Sequence, residues 1–135
     1  MEKSLRELLL KDLCARLPYN VIVRVEVNDV FIKPTDKVAT TNTINILEYP
    51  QKFRITPYLR PMSSMTDEER SKLSRLSDDK FKFYLYTGKP EIICYEKYNY
   101  LEGLKVLDWL NEHHFDYRGL IPKGLALEAS ENMYK

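Results

Sequence analysis

The sequence predicts an α+β fold in which an N-terminal helix packs on a small antiparallel sheet, followed by a smaller α/β portion with a closing C-terminal helix. Three observations predict it: apolar residues at helical spacing near the N-terminus, short segments of two-residue period within residues 21–56, and a second helical period near residues 98–114. Several short strands close together favour a strongly bent sheet, such as an SH3-like barrel.

The length and the apolar content of the chain set its domain organisation. With 135 residues, of which 44% are hydrophobic, the chain can bury a real core. We expect residues 1–62 to form the helix with the small sheet or barrel. Residues 63–135 are expected to form a helical and β-hairpin portion with a C-terminal helix and tail, and the two portions can share one core.

The first helix has a recognisable start and a recognisable end. Ser4 and Glu7 match a capping box, and Pro18 cannot continue a helix. The apolar stripe between them consists of Leu5, Leu8, Leu9, Leu13, Cys14 and Leu17. We expect this stripe to pack on the sheet and to bury Cys14 as a reduced thiol.

The segments that follow have the two-residue period of strands. In residues 21–27 four valines share one face, which predicts a strand with one buried side. After a turn, residues 30–32 are predicted to be the returning strand, and residues 35–42 a loop. Residues 43–48 and 53–56 are predicted to form a second pair of short strands.

The second portion begins where the chain leaves the sheet. Pro57 and Pro61 predict extended backbone for residues 58–65, because a residue that precedes proline disfavours helical geometry. Thr66 and Glu69 form another capping box, which predicts a short and largely solvated helix through about Leu76.

The remaining segments carry less specific patterns. Residues 80–86 and 92–95 can be a hairpin or pieces of helix, and their aromatic and β-branched content favours strands. A helix is predicted from about residue 98 to 114. Its apolar face is made of Leu101, Leu104, Val106, Leu107, Trp109 and Leu110. The apolar residues of the tail, 119–135, are expected to cover a groove.

Charge and hydropathy limit the cellular context. The 21 basic and 20 acidic residues nearly cancel, so no global field attracts nucleic acid or an anionic membrane. We find no apolar run near the ~20 residues of a membrane-spanning helix, and charges interrupt the N-terminus where a signal peptide needs an apolar stretch. We therefore expect a cytoplasmic protein with reduced cysteines.

Residues 109–120 are the densest group of polar and aromatic side chains, including both histidines and the only tryptophan. His113 and His114 are adjacent, and adjacent helical side chains diverge by about 100°, so they cannot share one metal ion unless the helix ends before them. With no third histidine, we expect neither a metal site nor a cofactor. The favoured interpretation is a helix C-terminus at which Asp116, Tyr117 and Arg118 form a hydrogen-bonded corner.

An enzymatic role is the weaker interpretation of this corner. His114 and Asp116 could form an acid–base pair, so a small metal-dependent or His/Asp hydrolase is one alternative. The chain, however, has no Gly-x-Ser-x-Gly, phosphate-binding or dinucleotide-binding motif, and only four glycines. We therefore expect a protein that is not an enzyme.

A tyrosine- and lysine-rich stretch suggests another alternative. Five of the ten tyrosines lie among lysines in residues 80–100, namely Tyr84, Tyr86, Tyr95, Tyr98 and Tyr100 with Lys80, Lys82, Lys89 and Lys97. Such a surface can stack single-stranded bases, particularly beside a small barrel that carries Lys52, Arg54 and Arg60. It equally suits a protein interface or an aromatic hairpin with lysines at its edge.

Two blocks resemble a family of small uncharacterised proteins. They are residues 57–66 (PYLRPMSSMT) and residues 108–128, which contain WLNEHHFDYRGLIPKGLA. The family is associated with gut anaerobic bacteria and their prophages or other mobile elements. The resemblance implies a complete, cytoplasmic, phage-associated protein, and it carries no activity, cofactor or catalytic residue to this chain.

Together these observations predict a non-enzymatic accessory protein of a mobile element that binds a host or phage protein. The predicted surface joins residues 57–65 to the corner at 113–118, because polar loop residues are often functional. Its candidate binding residues are Tyr58, Arg60, His113, His114, Asp116, Tyr117 and Arg118. The nucleic-acid-binding module and the small hydrolase remain the alternatives.

Overall fold

The computed structural model describes residues 2–76, 81–86, 89–94 and 100–134, with the side chains of 2–76 and 105–134. In chain order the elements are α1 (Lys3–Arg16), β1 (Ile22–Val27), β2 (Thr35–Val38), α2 (Thr41–Ile46), β3 (Phe53–Leu59), α3 (Asp67–Leu76), β4 (Phe81–Tyr86), β5 (Lys89–Cys94), α4 (Tyr100–Glu112) and β6 (Leu127–Glu128). The α+β fold class is thereby confirmed.

The chain divides into two compact units. The first unit contains Met1–Leu59 and Leu120–Lys135, and the second contains Arg60–Gly119. The first therefore includes the C-terminal tail as well as the N-terminal helix.

The first unit is built on a four-stranded sheet of order β2-β1-β3-β6. β1 pairs antiparallel with β2 and β3, whereas β6 pairs parallel with the end of β3. The sheet is open, with β2 at one edge and β6 at the other, so the expected SH3-like barrel is not confirmed.

The predicted valine face of β1 is confirmed. Val21, Val23 and Val25 are buried, and across the ladder Val25 lies opposite the buried Ile55. Residues opposite each other in a ladder share one face of the sheet. This face packs in one core with Leu9 and Leu13 of α1 and with Leu120, Leu125 and Ala126 of the tail. Ala39, which follows β2, and Leu59 of β3 belong to the same core.

α1 differs from its prediction at its start and on its buried face. It begins at Lys3, with Glu2 as an N-cap that makes no side-chain hydrogen bond, so the predicted Ser4–Glu7 capping box is wrong. Positions 9, 12, 13 and 16 are buried, and this stripe includes Asp12 and Arg16, paired at 2.8 Å. Cys14 lies about 100° from Leu13 around the helix and is exposed, which corrects its expected burial.

Two strand predictions and one loop prediction for the first unit are wrong. Residues 30–32 form a turn, and β2 lies instead in the predicted loop, at Thr35–Val38. Residues 43–48, predicted as a strand, mostly belong to α2. Thr40 and Thr43 form a capping box there, with the Thr40 N–H donating to Thr43 Oγ1 at 3.0 Å. Two satisfied backbone donors favour the helix over the β preference of isoleucine and threonine.

The second unit agrees more closely with the sequence. Thr66 and Glu69 form the predicted capping box of α3, with reciprocal bonds of 3.0 and 3.2 Å. β4 and β5 pair antiparallel from Phe81↔Cys94 to Tyr86↔Lys89, which confirms the strand alternative for this region. The apolar core described for this unit consists of Met62, Met65, Leu73, Val106, Trp109, Leu110 and Phe115.

Tyr134 joins the two central strands of the first unit. Its hydroxyl donates to Tyr58 O at 2.6 Å and accepts from Ile22 N–H at 3.0 Å. The β1–β3 ladder ends at the Val23↔Pro57 pair, and Ile22 and Tyr58 are the next two residues that would face each other. The hydroxyl bridges these two residues in place of a direct backbone hydrogen bond. Burial raises the pKa of this phenol to about 12.

Removal of this hydroxyl is predicted to destabilise the fold. Tyr134→Phe leaves the Ile22 N–H and the Tyr58 carbonyl without their partner, which costs about 1–3 kcal/mol in free energy of unfolding. Urea denaturation measures the change. Tyr49→Phe is the matched control, because Tyr49 is exposed and the loss there stays within about 0.5 kcal/mol. Equal losses for the two variants would contradict a structural role of the Tyr134 hydroxyl.

Candidate functional site

The histidine-containing corner follows the C-terminus of α4 and has the geometry of a Schellman motif. The Phe115 N–H donates to Leu110 O at 3.0 Å, and the His114 N–H donates to Asn111 O at 3.1 Å. This bond pair places His114 at the C′ position, where its φ of 63° is left-handed. Phe115 and Leu110 lie in the same buried cluster, as the motif requires.

His113 is bound to its own helix. Its Nδ1 lies 2.9 Å from the carbonyl oxygen of Trp109. A carbonyl can only accept, so Nδ1 carries a proton. The imidazole also stacks on the Trp109 ring with centroids 4.2 Å apart. These contacts orient the ring along the last turn of α4.

Arg60 contacts the corner through its backbone and its side chain. Its N–H donates to His114 O at 2.7 Å, and its carbonyl accepts from Asp116 N–H at 2.8 Å. Its guanidinium lies 4.1 Å from the centroid of the Phe115 ring. One extended residue therefore holds the turn on both sides of Phe115.

The same guanidinium forms a bidentate ion pair with Glu69. Both nitrogen-to-oxygen distances are 2.8 Å, and both side chains are partly buried. The hydrogen bond from Arg60 lowers the pKa of Glu69 to about 2, against the opposing effect of burial. Because Glu69 also caps α3, Arg60 connects that helix start to the α4 corner.

The remaining corner residues are also held within the second unit. The Tyr117 hydroxyl donates to Asn111 Oδ1 at 2.9 Å, and the Arg118 guanidinium lies 4.7 Å from the Tyr117 ring centroid. His114 and Asp116 are both more than nine-tenths buried. This burial restricts the access of a substrate to the proposed His/Asp pair.

Tyr58 belongs to the first unit, where it lies on β3. Its hydroxyl donates to Asp36 Oδ1 at 3.0 Å on β2. Burial, followed by this hydrogen bond, raises the pKa of the phenol. The second unit thus brings together six of the seven candidate residues, Arg60 and those at positions 113, 114, 116, 117 and 118. Their role in binding a partner stays a prediction.

The residues predicted to bind nucleic acid lie in two parts of the chain, of which the structure describes the side chains of one. The side chains of the lysine- and tyrosine-rich stretch, Lys80 to Tyr100, lie outside the part that the structure describes. Lys52 and Arg54 are exposed in the first unit, whereas Arg60 is committed to Glu69. Nucleic-acid binding therefore stays a prediction as well.

Sequence reasoning missed the most exposed apolar group of the described residues. Val30, Phe31 and Ile32, here called the apolar loop, are 95%, 93% and 48% exposed. Asp29 orders this loop, since its carboxylate accepts from Phe31 N–H at 2.9 Å and its carbonyl accepts from Ile32 N–H at 3.1 Å. Three adjacent apolar side chains in a defined turn are available for contact with another molecule.

A signal for this loop was present in the sequence. The three apolar residues stand between the turn formers Asn28 and Asp29 on one side and Lys33-Pro34 on the other. Three residues bounded in this way are short for a strand, and an Asp side chain that binds the N–H two residues ahead favours a turn.

The described residues contain no group of three or more histidine, cysteine or acidic side chains placed to hold a metal ion. In the same residues, no helix is both long and apolar enough to cross a membrane. Comparison of the chain with protein-family models, curated proteins and solved structures gave no match.

The left-handed backbone at His114 predicts an unusual order of stability. His114→Gly and His114→Ala both remove the imidazole, but only alanine retains a Cβ at positive φ. We expect the glycine variant to be more stable by about 1 kcal/mol, measured by urea denaturation. At the exposed helical position Lys105 the order should reverse, with alanine the more stable. An alanine variant at 114 as stable as the glycine variant would contradict the assigned geometry.

The lowered pKa of Glu69 predicts a pH dependence of stability. The ionised carboxylate stabilises the fold above its ordinary pKa of 4.5, and this contribution is lost as the pH falls toward about 2. We expect Glu69→Gln to be less stable than the native chain at pH 7 by on the order of 1–2 kcal/mol, after solvent screening is allowed for. The difference should narrow between pH 5 and pH 2.

Urea denaturation at a series of pH values measures this difference. Glu68→Gln is the control, since Glu68 is an exposed neighbour on the same turn of α3. A difference for Glu69→Gln that stays constant across this pH range would mean that the ion pair with Arg60 does not stabilise the fold.

Proposed function

We propose that this chain is a non-enzymatic accessory protein that binds another protein, with the apolar loop as its principal contact. A cytoplasmic location and an origin in a mobile element, which the resemblance implies, complete the proposal. The observation that carries it is the exposure of Val30 and Phe31 by more than nine-tenths. Neither side chain contributes to the core of its own unit.

Energetics support a docking role for this loop. Burial of one large apolar side chain stabilises a complex by about 1.5–3 kcal/mol, and aromatic anchors are enriched among the residues that dominate interfaces. The hydrogen bonds that Asp29 accepts from the Phe31 and Ile32 N–H groups restrict the backbone of the loop before a partner arrives. A contact that is already ordered loses less conformational entropy on binding.

The chemistry of the loop defines the partner surface that it fits. An apolar pocket would receive Phe31, with Val30 and Ile32 at its rim. Asp29 and Lys33 flank the loop with opposite charges, so a strongly charged partner gains no advantage. These features favour a protein surface over nucleic acid.

Phe31→Ser is predicted to weaken binding of the partner by roughly 30-fold or more, as expected for loss of an aromatic anchor. A photo-crosslinking amino acid at position 31, compared with the same group at exposed Tyr49, would identify the protein that touches the loop in a lysate of the source organism. Calorimetry with that purified protein would then compare native chain, Phe31→Ser and the control Tyr49→Ser.

Phe31→Ser should leave the stability of the fold unchanged within about 0.5 kcal/mol, because the residue is exposed. The proposal is wrong if both crosslinking positions recover the same proteins, or if Phe31→Ser binds the recovered protein as tightly as Tyr49→Ser does.

A further inference from the structure

A second feature of the first unit points to a small-molecule ligand, independently of the apolar loop. A cavity of about 370 Å³ lies beside β3, and its apolar walls include Leu9, Leu47, Phe53 and Leu125. Ligand sites typically measure ~300–1,000 Å³ and combine apolar walls with a few placed polar groups. This cavity has both properties.

The charges that line the cavity are all positive. Arg6 and Arg54 are the charged residues among those that line it, and no aspartate or glutamate does so. Within the described residues, neither arginine side chain takes part in an ion pair. Glu26 lies opposite Arg54 on the ladder, but its carboxylate faces Arg24 at 3.7 Å. A cavity whose charged lining residues are both arginines favours an anionic ligand.

The backbone of β3 adds a donor at the same place. In the described residues β6 pairs only with Tyr58 and Leu59, so the earlier part of β3 has no strand on that side. The Asn28 N–H donates to Lys52 O, and backbone direction alternates along an antiparallel strand. Ile55, which also lines the cavity, therefore directs its N–H away from β1.

We propose that this cavity binds an amphipathic anion, a carboxylate, sulfonate or phosphate joined to an apolar body. Arg6 and Arg54 hold the anionic group, with the Ile55 N–H as a further donor. The apolar body lies against Leu9, Leu47, Phe53 and Leu125. Neither the apolar loop nor the second unit takes part, so the proposal does not depend on the proposed protein partner.

Isothermal titration calorimetry of the full chain with two anionic probes tests the proposal. The probes are decanoate and 8-anilinonaphthalene-1-sulfonate, below their aggregation concentrations, with decyltrimethylammonium as a cation of similar apolar length. We expect saturable one-to-one binding of at least one anion and none of the cation. Binding of the anion should weaken as salt is raised.

The double variant R6Q/R54Q should weaken anion binding roughly tenfold or more, through the loss of charge-assisted hydrogen bonds. The control R70Q/R75Q removes the same net charge from exposed positions on α3 and should bind like the native chain. Circular dichroism verifies that both variants fold, and the single variants R6Q and R54Q replace the double variant if it does not.

Three results would overturn the assignment: binding of neither anion, equal binding of the cation, or equal weakening by the two double variants. Each would show that the cavity does not select anionic ligands through Arg6 and Arg54.

Discussion

The second unit depends on Arg60. This residue binds the backbone of the turn at 114–116 and contacts the side chains of Phe115 and Glu69. Its N–H and carbonyl bind residues on both sides of Phe115, and its guanidinium covers the Phe115 ring. Phe115 in turn packs against Trp109, and Trp109 against His113. The Arg60 guanidinium also forms the ion pair with Glu69 at the start of α3. Loss of Arg60 would therefore remove contacts to α3 and to the α4 corner together.

The polar and aromatic residues that are so dense at 109–120 therefore make contacts within the second unit. A left-handed C′ residue, a stacked imidazole and a bidentate arginine each require particular chemistry, as catalytic or binding groups do. The His113 ring is oriented by Trp109 O, and Tyr117 by Asn111. A segment dense in polar and aromatic groups can therefore have a structural role or a functional one, and the geometry of the side chains distinguishes the two.

The first unit contains a comparable constraint in the buried pair of Asp12 and Arg16. Both side chains are fully buried, and two hydrogen bonds of 2.8 and 3.1 Å join them across one turn of α1. Burial of charge is costly unless the partner is held closely, so this face of α1 can be buried only with Asp12 and Arg16 paired. With this face of α1 turned to the core, Leu10 and Cys14 are exposed.

Some elements governed by local rules could be predicted from the sequence, whereas those governed by tertiary packing could not. The valine alternation of β1 and the Thr66–Glu69 capping box each involve neighbours within a few residues, and both are confirmed. The rotation of α1 depended on whether Asp12 and Arg16 could pair in the core, which a hydropathy pattern does not encode. The apolar content of residues 30–32 favours a buried strand, whereas the Asp29 side chain that precedes them favours the turn that the structure contains. The polar corner was found, but its contact with Arg60 spans about fifty residues of sequence and has no local signal.

Amide hydrogen exchange of the native chain tests the structural role of the corner most directly. If Arg60 holds the turn through its backbone hydrogen bonds, the amides of Arg60, Phe115 and Asp116 will exchange as slowly as that of Leu110 within α4. Exchange of these three amides at the rate of an unstructured peptide would contradict these hydrogen bonds. The corner would then be open to solvent and to a ligand.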